Sequence, residues 1–466
     1  MDRLTTRPTG ASSEGPPGRF QRFNLLENPF PAVPMVNRDS ADKRINGRVY
    51  EVEIRKNEYD HIKANFLEAP QSSPNHLRLG YVIDTSYIGR GNGKSAFLVN
   101  LQQNINNEYC LDISGGINKC FAVYLAPEQG GRTKTFPALM DLLMSAILRM
   151  GIINSCLAIV RLEALRSVYP QHRIDPDIGE EELIANLNSE DWYKQAGLSY
   201  PDISRRVREN PMLQTLSPEF PLYSETNSFF AGPITQAAVE DYYNALRRPG
   251  DRLEFVFSDL VRFFQAAGFN GAYVLLDDFE RVVSFQSAQQ KTDFALELRS
   301  CLFDGLSTNA RVGFYNVFLV LHAGVERLIA DAWSVSGMSN RVPLEPAFAA
   351  SHVIPFEKLS KHHAVLLIKK YLAEYRVRKS EQNDLLPFTE GAVEKMGELS
   401  ELNAGRILKM GYELLEKAAS TETVDVIDAA FVENAKDGIS IDFDKGVPGI
   451  QEADSVDLIE KARKNE

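Results

Sequence analysis

The chain has 466 residues, 44% of them apolar and 24% charged, with a formal net charge of −12. That length allows roughly two to four domains, or one elaborated core with an appended domain, and the composition excludes a fibrous or wholly disordered chain. The acidic balance disfavours coating nucleic acid through bulk electrostatics, although a local basic face remains compatible with it.

Four cysteines (Cys110, Cys120, Cys156, Cys301) show no CxxC pair or zinc-ligand spacing and read as reduced thiols. The longest apolar tract, Met140 to Val160, is broken by Asp141 and Arg149, and the polar N-terminus lacks the apolar region of a secretory signal. A cytoplasmic protein without a membrane span is expected.

In chain order, residues 1–20 are polar and rich in Pro and Gly, so a disordered arm is expected. Asn24 to Pro31 forms an apolar strap punctuated by proline, expected against the core near a nucleotide base, with a plain entry loop as the alternative. A helix over 48–68 leads to a first strand within Leu79 to Ile88.

That strand runs into Gly89-Arg90-Gly91-Asn92-Gly93-Lys94-Ser95-Ala96, followed by the helical Phe97-Leu98-Val99-Asn100-Leu101. Strand, glycine loop and helix in that order predict a phosphate cradle. Small residues let successive backbone N–H groups curl around an anion, and the helix adds its positive end. Lys94 would reach the terminal phosphates of a nucleoside triphosphate, and Ser95 would hold Mg2+. The usual GxxxxGK[ST] spacing is broken at its first glycine, where Ile88 stands and Gly89 comes one place late.

A second strand is expected at Cys120 to Leu125. Residues 128–250 read as an insertion, helical from Phe136 to Val168 and irregular from Tyr169 to Ile234, of the kind that forms a lid or partner surface. The core resumes with a helical pattern at Arg252 to Ala267 and the buried-strand run Ala272 to Leu276, which ends in Asp277-Asp278-Phe279-Glu280. Asp277 would bind Mg2+, largely through water, and Asp278 would orient or deprotonate the attacking water, with Glu280 as its rival. The strand Tyr315 to Leu321 ends in His322, a sensor of the terminal phosphate or a cap on a buried strand end. From Leu359 the pattern is helical, and the acidic end from Asp437 reads as loosely held.

This order resembles the AAA+ ATPases. The Asn28-Pro29-Phe30 strap is similar to the start of the ExeA and TniB/TnsC type of ATPase. The runs Pro387 to Val393 and Leu402 to Leu408 resemble the lid of those proteins and of origin-recognition initiators. The resemblance implies an α/β P-loop NTPase fold: a three-layer parallel-sheet core with a large, mainly helical insertion and an all-helical C-terminal lid. The implied segments are a disordered arm (1–20), strap and first half-core (21–127), insertion (128–250), second half-core (251–357), lid (358–435) and acidic tail (436–466). It also implies ATP and Mg2+ as cofactors, Arg406 as a lid arginine reaching the γ-phosphate, and Arg341 as a finger acting across a subunit boundary of a homo-oligomer. A surface salt bridge is the alternative for Arg341. The Asp277-Asp278 ending resembles the STAND switch ATPases, which implies slow hydrolysis.

The leading expectation is therefore an ATP-dependent assembly factor that grips DNA or recruits an effector protein, as in transposition, replication or phage defence. Ser204 to Arg208, Arg247-Arg248 and Arg376 to Lys379 are candidate phosphate contacts. A STAND-like switch that senses a ligand or protein through its insertion is the alternative, and a metabolic kinase is disfavoured.

Overall fold

The computed structural model describes residues 18–68, 77–85, 90–109, 119–128, 130–221, 233–305, 307–322, 324–344, 351–378, 384–421 and 423–440. The arm to residue 17, Gly89 of the glycine loop, Cys110 and the tail from residue 441 lie outside them. Two compact units divide the chain: Asn57–Tyr87 with Leu98–Phe356, and Met1–Lys56 with Ile88–Phe97 and Glu357–Glu466.

The first unit is built on five parallel strands, β1 (Leu79–Asp84), β2 (Cys120–Leu125), β3 (Gly271–Leu276), β4 (Tyr315–Leu321) and β5 (Val353–Phe356), in the order β2-β3-β4-β1-β5. Val274 lies opposite Val317 in the register of β3 and β4, and Leu79 opposite Val317 in that of β1 and β4. Every residue of β1, β3 and β4 is buried, so both faces of the sheet are covered by helices in an α/β arrangement. This explains why the strands read as unbroken apolar runs and not as alternating ones. Gly80 in β1 marks a close approach: a Cβ there would lie 2.8 Å from the Phe318 ring and 2.9 Å from Phe66. Those two rings pack with centroids 4.6 Å apart.

Most of the insertion belongs to the same core. Helices Phe136–Arg149 and Ile152–Val168 contribute Leu143, Ile147, Cys156 and Leu157 to one buried cluster with the strands. The stretch expected to be irregular is helical over Glu180–Leu187, Glu190–Gln195 and Tyr200–Arg208. Its order comes from buried polar and aromatic anchors. Arg161, 2% exposed, donates to Asn188 Oδ1 (2.6 Å) and to the Ile234 carbonyl (2.9 Å), and the Tyr193 hydroxyl donates to the Leu187 carbonyl (2.9 Å). Among the described residues no single helix is long and apolar enough to cross a membrane. The bent pair Phe136–Arg149 and Ile152–Val168 has the composition for it together, but its apolar residues are core residues.

The second unit is a helical bundle of Lys361–Glu374, Glu390–Leu399, Ala404–Ser420 and Ala429–Ala435. The N-terminal strap packs inside this bundle. Phe30 is fully buried between Tyr371 and Phe388, with ring centroids 6.1 and 5.8 Å away, and Gly411 leaves room for its ring. Asn28 donates to the Tyr412 carbonyl (3.1 Å) and to Glu416 (3.0 Å). Residues 18–56 therefore cluster with the C-terminal helices and not with the sheet.

Candidate functional site

The glycine loop lies in the helical unit, and its conformation follows from two glycines. Gly91 has φ +98° and Gly93 φ +87°, a region that a side chain enters at a cost. Four successive carbonyls are engaged. Arg90 O accepts from Asn403 Nδ2 (2.8 Å), Gly91 O from the Gly405 amide (2.8 Å), Asn92 O from Arg55 (3.1 Å) and Gly93 O from the Phe97 amide (2.9 Å). Asn92 is buried and donates to the Glu357 carbonyl at 3.1 Å. The positive φ at Gly91 and Gly93 gives this turn a backbone path that other residue types adopt only at a cost. The helix Lys94–Asn104 starts directly after it, carrying Ser95 and Ala96 in its first turn.

A second helix end meets the loop. Glu401 and Leu402 take φ of +54° and +58°, a sharp left-handed turn that stops Glu390–Leu399 and sets Asn403 as the cap of Ala404–Ser420. Asn403 caps with Oδ1, which accepts from the Arg406 amide (3.1 Å), while its Nδ2 holds the loop. Non-glycine residues in that region carry strain of about 1–3 kcal/mol each, which the surrounding contacts must offset. Arg406 thus stands in the first turn of this helix, its guanidinium 2.5 Å from Glu401.

In the sheet unit, β4 lies between β1 and β3, and His322 directly follows β4 as Asp277 directly follows β3. Asp277 is buried and fixed at both oxygens. The Tyr124 hydroxyl on β2 donates to Oδ2 (2.7 Å), and the Asp278 amide donates to Oδ1 (2.9 Å). Burial first, and then the Asp277 charge, push the Tyr124 phenol far above its ordinary range. Asp278 has φ +46°, a left-handed backbone at the turn after β3. Its Oδ2 lies 2.5 Å from Arg281 and its Oδ1 3.2 Å from His322 Nε2. The same imidazole nitrogen is 3.1 Å from Glu280 Oε1, and Arg281 also donates to the Pro127 carbonyl (3.2 Å).

The strand ends thus bring together Asp277, Asp278, Glu280 and His322. Arg341 is apart from them, half-exposed and paired with Asp304 at 2.5 Å, a carboxylate that Arg299 also contacts. Tyr124 and Arg281 are partners that sequence reasoning missed. A strand tyrosine looks like any core aromatic, and an arginine three residues after Asp278 looks like any helix residue. No protein family, no curated protein and no solved structure matches this chain.

Proposed function

We propose that the chain binds ATP with Mg2+ and hydrolyses it slowly, as an AAA+-like P-loop ATPase. The observation that carries this reading is the Arg90–Gly93 loop, with its carbonyls held by Asn403, Gly405, Arg55 and Phe97 immediately before the Lys94 helix. A glycine turn directly before a helix start is a place where phosphate groups are commonly held.

The donors also fit the metal. The Ser95 hydroxyl and the Asp277 carboxylate are hard oxygens of the kind Mg2+ takes. When bound, the ion would neutralise charge on the phosphates. Lys94 would hold the terminal phosphates, Asp278 would position the attacking water with Glu280 as its rival, and His322 would sense the phosphate. Asp278 is already engaged by Arg281 and His322, which supports slow turnover.

A second reading, a STAND-like switch acting on a partner protein, is favoured over a DNA-gripping assembly by the basic segments. Arg205 pairs with Asp202 at 3.1 Å, Arg206 pairs with Glu209, and Arg376 donates to the carbonyls of Phe23 and Asp384. Oligomerisation through Arg341 would exchange its Asp304 pair for a neighbour's nucleotide.

Calorimetric titration with Mg2+-ATP tests the site. Lys94→Ala should weaken binding about 100-fold, the loss of a charge-assisted contact worth 2–3 kcal/mol. Unchanged affinity rejects the site. DNA added to the wild-type chain separates the two readings: stimulation of turnover that falls steeply with salt supports the assembly on DNA, and indifference supports the switch.

A further inference from the structure

We propose that Asp278, Glu280 and His322 form a binding site for a divalent transition metal of the Mn2+, Co2+ or Zn2+ class, distinct from the Mg2+ site proposed above. The three residues come from separate elements: the turn after β3, the start of the helix Glu280–Val283, and the end of β4. Each offers one ligand atom, and the three atoms lie within 4.8 Å of one another.

Geometry supports a shared ion. His322 Nε2 lies 3.2 Å from Asp278 Oδ1 and 3.1 Å from Glu280 Oε1. Neighbouring ligands on one metal, with bonds of about 2.0–2.2 Å, are themselves separated by about 3.0–3.5 Å between right-angled and tetrahedral arrangements. Both carboxylates therefore already stand from the imidazole at the spacing a shared ion needs. Arg281 holds Asp278 at Oδ2 (2.5 Å), and Oδ1 faces the imidazole at 3.2 Å. Ligating carboxylates are oriented by outer partners of this kind.

Donor chemistry selects the metal. An imidazole nitrogen with two carboxylates suits Mn2+, Fe2+, Co2+ and Zn2+, whereas Mg2+ prefers an all-oxygen shell and keeps its water. Three protein ligands leave positions open to solvent or an exogenous group. An ion held here would also occupy Asp278 and His322, so it would oppose the nucleotide chemistry proposed for them. The site itself stands without that reading, since all its ligands lie in the sheet unit.

The test is a cobalt titration of the full chain without nucleotide, followed by visible absorption. Wild-type protein should bind one equivalent in the micromolar range, and Zn2+ should displace it. His322→Gln and Glu280→Gln should each weaken binding at least tenfold, whereas Lys94→Ala should leave the isotherm in place. X-ray absorption on the wild-type zinc form needs no variant and should find one nitrogen donor with oxygen neighbours. An oxygen-only shell, absence of binding at millimolar cobalt, or isotherms unaffected by both glutamine variants overturns the proposal. Lys94→Ala that leaves ATP affinity unchanged rejects the nucleotide reading alone.

Discussion

The glycine loop and the strand-end cluster both read as binding sites, yet they are made of different material. The loop is built from backbone: two positive-φ glycines and four engaged carbonyls shape it. The cluster is built from side chains, with Tyr124, Asp277, Asp278, Glu280, Arg281 and His322 fixing one another. Backbone shape recognises an anion whatever its protonation state, whereas a ring of carboxylates and imidazole performs proton or metal chemistry. A substitution in the loop should therefore change binding, and one in the cluster should change turnover.

Asp278→Asn tests that division with the largest expected effect. Asparagine tolerates the left-handed backbone at φ +46°, so the substitution removes the charge and leaves the turn in place. Turnover of ATP should fall by about 10²–10⁴-fold, the contribution of a positioned general base, with ATP affinity within a few fold of wild type. Steady-state hydrolysis and calorimetry together read both quantities. A variant that loses affinity while keeping its rate would reverse the division.

Asn403→Ala is the matching test on the backbone side, with a smaller effect. It removes a helix cap worth about 0.5–2 kcal/mol and the bond to Arg90 O, worth about 1 kcal/mol. The first turn of Ala404–Ser420 should exchange its amide hydrogens faster, and ATP affinity should drop about tenfold at unchanged maximal rate. Unchanged exchange at residues 404–408 would show that the loop does not depend on this cap.

What could be read from residue order follows the same line. Strands β2, β3 and β4 were visible because a parallel sheet covered on both faces demands unbroken apolar runs. The loop was visible because only glycine takes its backbone angles freely. Contacts between distant side chains were not. Nothing near Phe30 signals Tyr371 or Phe388, about 340–360 residues later, and nothing near Tyr124 signals Asp277. The second part of the insertion hid its helices because they are short and anchored by Tyr193, Tyr200 and the buried Arg161 in place of a long apolar stripe.

Tyr124→Phe gives the smallest effect and bears on the side-chain region alone. At neutral pH it removes one hydrogen bond to Asp277, a cost of about 1 kcal/mol. At high pH the sign reverses. Burial, reinforced by Asp277, raises the folded-state phenol above its unfolded value of about 10, so the folded chain holds a proton that the unfolded chain releases. The stability this contributes is complete below pH 10 and is lost as pH rises towards the folded value. Tyr81, Tyr243, Tyr315 and Tyr371 are shifted the same way, so the wild-type chain should weaken steeply in alkali. Phenylalanine deletes one such group and should flatten the slope by at most about 1.4 kcal/mol per pH unit. Urea denaturation of both chains from pH 8 to 11 reads the difference. Curves that stay parallel across that range would mean that folding does not raise the Tyr124 phenol. The carbonyl and amide bonds of the glycine loop do not titrate there, so substitutions in the loop should shift both ends of the curve equally.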